Sequence, residues 1–226
     1  MKTVDDAVSR QLRVPAGRVE LEGSLTVAND PIGVVLFAHG SGDSRYTPQD
    51  AYVARVLREE RISTVVFDLL TPHEEAVDFV TREHRFDLRV LAHRLVAVTD
   101  WLRDRREFED ASIGYFSAST GTGAALMAAA ELGRHIAAVV SRSGRPDLAG
   151  EALARVDAPT LLIVGSNDRA LIELNELASG RLNAATEIAI VAGASQVFDQ
   201  PGALAQAAAL ASHWFVRHLA IPLTAK

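Results

Sequence analysis

The stretch from Ile113 to Leu132 limits the fold more than any other part of the chain. It begins Ile113-Gly-Tyr-Phe-Ser-Ala-Ser119-Thr-Gly121 and continues to Leu132 as an Ala-rich run. An apolar β-run that turns through a few small residues into a helix is a strand–turn–helix unit. The same alternation recurs along the chain. Short apolar runs at 34–38, 64–68, 112–116, 137–141, 159–165 and 187–191 read as strands, the first and the last three of the six as buried ones. Helical spacing appears at 52–60, at 202–219 and at 85–106, where Leu88, Leu91, Leu95, Val98 and Leu102 recur on one face. Residues 18–27 alternate like an exposed antiparallel strand, in a hairpin with the segment before Pro15. Strands alternating with helices predict an α/β fold, with a mostly parallel central sheet covered by helices on both faces.

A chain of 226 residues fits one such domain, with 1–17 as an N-terminal extension. Residues 71–85 are rich in charge and histidine. They read either as a lid or insertion beside a site or as an ordinary solvated connection.

Composition removes several chemistries. There is no cysteine, so disulfides, thiolate metal sites and thiol nucleophiles are excluded. Lysine occurs only at Lys2 and Lys226, so lysine catalysis has no candidate inside the fold. A net charge of −6 offers no basic footprint for nucleic acid. The first ten residues carry Asp5 and Asp6 and lack an apolar core, and no apolar run approaches membrane-spanning length. A cytoplasmic, soluble protein is expected, with no membrane or nucleic-acid partner. No metal or nucleotide cofactor is expected either, since glycine-rich dinucleotide and phosphate-loop patterns are absent.

The candidate chemistry centres on Ser119. A serine held on a tight strand-to-helix turn needs small neighbours, because the helix packs close to the strand. Ser117-Ala-Ser119-Thr-Gly121 meets that need, with Ser117 where the G-x-S-x-G pattern has its first glycine. His39-Gly40-Ser41-Gly42 follows the strand at 34–38. Such a loop supplies one backbone N–H to a developing oxyanion, and the residue after the nucleophile supplies another, which assigns Ser41 and Thr120. Asp168, just past a late strand, is where a triad acid belongs, and the chain order then requires a histidine after the next strand. Gln196 stands there instead. An amide hydrogen-bonds but cannot take a proton from serine at neutral pH. Asp199 is a nearby carboxylate that reads equally as a solvated loop charge. His39, His73 and His84 are the other candidate bases, His39 reading also as a loop-bonding residue. Arg142 and Arg145 read either as a clamp for an anionic substrate, with His39 and Gly40 beside them, or as structural groups, Arg145 pairing with Asp147.

Together these segments resemble the dienelactone-hydrolase-like branch of the α/β hydrolases over about residues 18–219. The likeness is carried by Val35-Leu-Phe-Ala-His-Gly-Ser-Gly42, Phe67-Asp-Leu-Leu-Thr-Pro72, Arg85-Phe-Asp-Leu88, Gly114-Tyr-Phe-Ser-Ala-Ser-Thr-Gly121, Val140-Ser-Arg-Ser-Gly-Arg-Pro-Asp-Leu148 and Pro159-Thr-Leu-Leu-Ile-Val-Gly165. The resemblance implies a nucleophile at Ser119, an acid at Asp168, and cofactor-free hydrolysis of a small ester or lactone. The family pattern Gly-Ala-x-His falls on Gly193-Ala194-Ser195-Gln196, so the chain departs from it at the base. Three functions stay open on these residues. They are a serine hydrolase with a substituted base, a non-hydrolytic lyase, cyclase or isomerase using the oxyanion hole, and a ligand-binding protein that has lost the chemistry.

Overall fold

The computed structural model describes residues 9–38 and 47–220. Within them eight strands form one sheet: β1 (Ser9–Ala16), β2 (Val19–Thr26), β3 (Gly33–Ala38), β4 (Ile62–Phe67), β5 (Ile113–Ser119), β6 (Ile136–Gly144), β7 (Thr160–Gly165) and β8 (Thr186–Val191). Their order is β1-β2-β4-β3-β5-β6-β7-β8. β1 and β2 pair antiparallel, as do β2 and β4, and every later pairing is parallel. Central β3 and β7 are buried at every position, as strands covered on both faces must be.

Among the described residues six α-helices connect and cover the sheet: α1 (Pro48–Glu59), α2 (Pro72–Thr81), α3 (Leu88–Arg103), α4 (Gly121–Leu132), α5 (Arg169–Ser179) and α6 (Ala203–Leu219). Two separate cores result. On one face Val53 and Leu57 of α1 and Phe215 of α6 pack on Val35, Phe37 and Phe116. On the other, Leu91, Leu95, Val98 and Leu102 of α3 and the alanines of α4 pack on Val34, Leu36 and Tyr115. The Tyr115 hydroxyl pairs with Thr99 Oγ1 at 2.6 Å, tying α3 to the central strand without leaving a buried phenol unsatisfied.

Several boundaries differ from the sequence reading. Residues 9–16, set apart as an extension, are the sheet's edge strand, paired in register with β2 as the hairpin reading required. β8 is half-exposed rather than buried, because it is the opposite edge, and Ile190 stands 50% open. α5, not picked out in the sequence reading, is an amphipathic helix whose buried Leu171, Asn175 and Ala178 fall on one face. Residues 72–81 are also a helix, with Thr71 and Glu74 forming a reciprocal capping box.

That second helix is held down by charge. The Arg94 guanidinium, buried on α3, donates to both Glu74 oxygens at 2.8 and 2.6 Å and to the Leu69 carbonyl at 2.7 Å. Arg85 closes the other end on buried Asp78, its Nε donating at 2.8 Å. A segment bound at both ends through buried ion pairs is a fixed connection. No α2 side chain is among the described residues that line the pocket holding Ser119.

Arg94 holds the Glu74 carboxyl down at about 2, from 4.5. A depressed folded value stabilises the protein fully above about pH 4.5, and that stability disappears as pH falls towards 2. Glu74→Gln is therefore expected to lose about 1–2 kcal/mol at pH 7, the shift discounted for solvent screening. It should also flatten the acid limb of urea-unfolding stability between those two pH values. An unchanged acid limb would refute the role given to this pair.

Candidate active site

β5 ends at Ser119 with φ 49°, in the left-handed region that side chains disfavour. Thr120 follows at φ −65° and ψ −26°, and α4 starts at Gly121. Three features hold the turn. The Ser119 carbonyl accepts the Arg145 N–H at 2.9 Å. Beneath it runs a buried hydroxyl chain, Ser117 to Thr122 at 3.1 Å and Thr122 to Ser141 at 2.9 Å, with Ser117 also donating to the Val140 carbonyl. Opposite Ser119 stands Gly144, where an added Cβ would lie 2.0 Å from both Ser141 Oγ and Thr122 Oγ1. Ser117 thus does more than tolerate the place of a glycine: its hydroxyl belongs to the chain under the turn. The positive end of α4 lies at the same point and favours negative charge there.

Ser119 lines a pocket of about 250 Å³ with Gln196, Arg142, Ser143, Asp50 and Thr47. The topology explains the convergence. These residues lie at the carboxyl ends of β5 and β6, after β8, and at the start of α1, the edge of a parallel sheet where ligand sites form. Backbone strain gathers here too. Of six described non-glycine residues with left-handed φ, three meet at this pocket or in its wall: Ser119, Ser143 at 48° and Phe198 at 57°.

Gln196 is presented by a closed turn. Ser195 Oγ donates to Asp199 at 2.6 Å, the Ser195 N–H donates to Gln200 Oε1 at 2.8 Å, and Phe198 plugs the turn into the core. Asp199 is exposed, and its hydrogen bond from Ser195 pushes its carboxyl below the ordinary value, so it serves the turn as an ionised latch.

The loop bearing Asp168 is bound to this turn. Ser166 N–H donates to Val191 O at 3.0 Å, Asn167 N–H to Ala194 O at 3.0 Å, Asn167 Nδ2 to Gly193 O at 2.9 Å, and Gly193 N–H to Ser166 Oγ at 2.8 Å. Gly165 permits the contact: a Cβ there would sit 2.4 Å from the Ala194 carbonyl. Asp168 itself caps α5, accepting the Leu171 N–H at 3.0 Å, and is half-buried.

The remaining candidates separate. Arg142 is buried in the pocket wall. Arg145 is bound bidentately by Asp147 at 2.7 Å on each oxygen and does not line the pocket, so the structural reading holds for it and the clamp reading does not. His73 is exposed on α2, and His84 lies beside Glu83 on the following turn. Neither reaches the pocket, so neither stands in for the base. His39, Gly40 and Ser41 lie outside the described residues. Sequence reasoning misses Asp50 and Ser143. Asp50 is 92 positions from the arginine it meets, and nothing local distinguishes Ser143 from other small loop residues. Among the described residues no three His, Asp or Glu side chains gather to hold a metal ion, and no helix is long and apolar enough to cross a membrane.

An eight-stranded, mostly parallel sheet with a strained serine between a central strand and the next helix defines an α/β hydrolase fold. Comparison with known proteins narrows this. A crystal structure of dienelactone hydrolase from Anabaena variabilis is 49% identical, covers 94% of this chain and 98% of its own, and superposes with a TM-score of 0.91. The chain belongs to the dienelactone hydrolase family. The esterase Est1E of Butyrivibrio proteoclasticus shares the fold, with a TM-score of 0.77 at 14% identity, over 93% of this chain and 99% of its own. A protein of Mycobacterium tuberculosis, found in two strains and named as a phosphoribosyl transferase, is 48% identical over 212 residues. That match covers 94% of this chain but 47% of the relative, so the chain spans about half its length. No family model matches the chain.

Strain and close packing under the turn predict opposite effects from neighbouring substitutions. Ser143→Gly should stabilise the protein by about 1 kcal/mol, by relieving a left-handed φ. Gly144→Ala should destabilise it by more than about 2 kcal/mol, by driving a methyl into the Ser141–Thr122 pair. Chemical denaturation of the two variants checks both signs.

Proposed function

We propose that this chain is a serine hydrolase of small carboxylic esters or lactones, acting through Ser119 and slow because Gln196 occupies the place of the base. The observation that carries this reading is the left-handed Ser119 at the head of α4, in one pocket with Gln196. In this reading Ser119 Oγ attacks the acyl carbon. The carbonyl oxygen gathers charge towards the backbone N–H groups of Thr120 and Ser41, and the α4 N-terminus favours that charge. The serine proton then needs an acceptor. The Gln196 amide provides none and Asp168 has no imidazole to orient, so the proton passes to solvent water. Water also protonates the departing alkoxide and then hydrolyses the acyl-serine.

Loss of the base from a working triad costs on the order of 10⁶ in kcat, leaving roughly 10³–10⁴ over water from the oxyanion hole and binding. The substrate is a small molecule, and no cofactor enters the reaction. The protein acts in the cytoplasm, without a nucleic-acid or membrane partner. The phosphoribosyl transfer named for the mycobacterial relative belongs, in this reading, to the part of that protein this chain does not span.

Restoring the base tests the proposal. Gln196→His is expected to raise p-nitrophenyl acetate hydrolysis by at least about a hundredfold, the scale of one general base. A fluorophosphonate should label Ser119 slowly in the native chain and quickly in Gln196→His. Rapid labelling of the native chain at neutral pH, or no gain from the histidine, would overturn the substituted-base reading.

A further inference from the structure

Asn175 is a costly choice for its place in the core. It lies fully buried in the middle of α5, where helix propensity disfavours asparagine. Its Nδ2 donates twice, to the Leu171 carbonyl one turn back at 2.8 Å and to the Gly144 carbonyl at 3.2 Å. Its Oδ1 is buried with no hydrogen-bond partner among the described residues. The amide cannot be turned round, since Oδ1 would then face two carbonyl oxygens. An apolar side chain of similar size would avoid both the propensity cost and the unmet oxygen. A residue that breaks local rules without a local gain has its use elsewhere.

The bond to Gly144 shows where. The Gly144 carbonyl and the Arg145 N–H belong to one trans peptide unit, which is planar and carries the two groups on opposite edges. Asn175 donates to one edge. From the other, the Arg145 N–H donates to the Ser119 carbonyl at 2.9 Å. That carbonyl in turn shares its peptide unit with the Thr120 N–H, at the head of α4. Two peptide units therefore stand in series between an amide on α5 and the N–H beside the nucleophile. Hydrogen bonds in series strengthen one another, because a donor at each carbonyl oxygen makes the N–H of the same unit more acidic. They also fix direction, since a peptide plane bound on both edges resists rotation. The same helix starts at Asp168, whose Oδ1 accepts the Leu171 N–H, so Asn175 also ties the acid's helix to the serine turn.

We propose that Asn175 is a positioning residue: through the Gly144–Arg145 and Ser119–Thr120 peptide units it orients and polarises the Thr120 N–H as an oxyanion donor. The inference rests on the hydrolase reading for the oxyanion, whereas the relay of hydrogen bonds is a property of the folded chain. Asn175 does not line the pocket of Ser119 and touches no reacting atom. Its effect falls where charge develops on the acyl oxygen, so it acts on kcat and leaves KM alone. One oxyanion donor contributes about 10²–10³ in kcat, and one bond in a cooperative series strengthens the next by about 10–30%. Together these set the contribution of Asn175 at about two- to eightfold in kcat.

The test compares Asn175→Leu and Asn175→Ser with the native chain. Leucine removes both bonds. Serine keeps a hydroxyl that bonds back to the Leu171 carbonyl but does not extend to Gly144, so it isolates the second bond. In ¹⁵N-labelled protein the Arg145 and Thr120 amide protons are expected to move upfield together in both variants, as weakened donors do. Amides of α1, which packs on the other face of the sheet, should stay in place. In the Gln196→His background, p-nitrophenyl acetate hydrolysis should lose about two- to eightfold in kcat at unchanged KM. Fluorophosphonate labelling of Ser119 should slow by a similar factor with Gln196 in place. Should the leucine variant fail to fold, the serine variant reads the same relay. Unmoved Arg145 and Thr120 amides, full kcat in Asn175→Ser, or a loss carried by KM would overturn the proposal. Shifted amides with no gain from Gln196→His would keep the relay and count against the hydrolase reading alone.

Discussion

The geometry of the site depends on one tight contact, the Gly144 backbone pressed against the hydroxyls of Ser141 and Thr122. With no side chain at 144, the end of β6 can lie against the end of β5. From there the Arg145 N–H reaches the Ser119 carbonyl, and Ser119 is held at a φ it would otherwise leave. The left-handed conformation costs about 1–2 kcal/mol, and it persists because strand, helix and hydroxyl chain over-determine it. The same closeness carries Arg142 and Ser143 to the rim of the pocket. The strained backbone at Ser119 and the pocket beside it are thus consequences of one packing arrangement.

Charge in this chain falls into two kinds. The pairs that hold the fold, Arg94 with Glu74 and Arg85 with Asp78, are short and multiply bonded, and each ties one end of α2 to a neighbouring segment. The pair in the pocket, Arg142 with Asp50, is long and single. Burial differs as well: Arg85 and Glu74 are 23% and 21% exposed, against 9% for Arg142 and 4% for Asp50. Buried ion pairs contribute little net stability even when well made, so the poor geometry of Arg142 with Asp50 has no stabilising role to explain it.

Much of the sheet is legible from the chain, because parallel strands covered on both faces leave continuous apolar runs such as Val34 to Ala38. The turn at Ser119 is legible for a related reason: only small residues fit between a strand and a helix that close. The edges are harder. β8 is only half-buried with no alternation, and β1 belongs to the sheet only through its pairing with β2. α2 leaves little trace because capping and ion pairing hold it, and an apolar stripe does not; Phe79 and Val80 on it point outward, 84% and 80% exposed. Asp50 and Ser143 join the site through tertiary convergence, which leaves no local pattern at either position.

The same convergence bears on the missing base. Gln196 sits on a turn closed by Ser195, Asp199 and Gln200, and that turn is bound to the Asp168 loop through four hydrogen bonds. None of these bonds involves the Gln196 side chain. The turn is therefore closed by bonds from other residues than 196. Asp168 is ready in the same sense: its Oδ1 accepts from Leu171, and a carboxylate has further lone pairs to offer an imidazole. In the proposed reading, a glutamine at 196 lacks a proton acceptor while the turn that carries it keeps its bonds. The bonds around Ser119, its carbonyl to the Arg145 N–H and the hydroxyl chain beneath it, likewise do not involve residue 196.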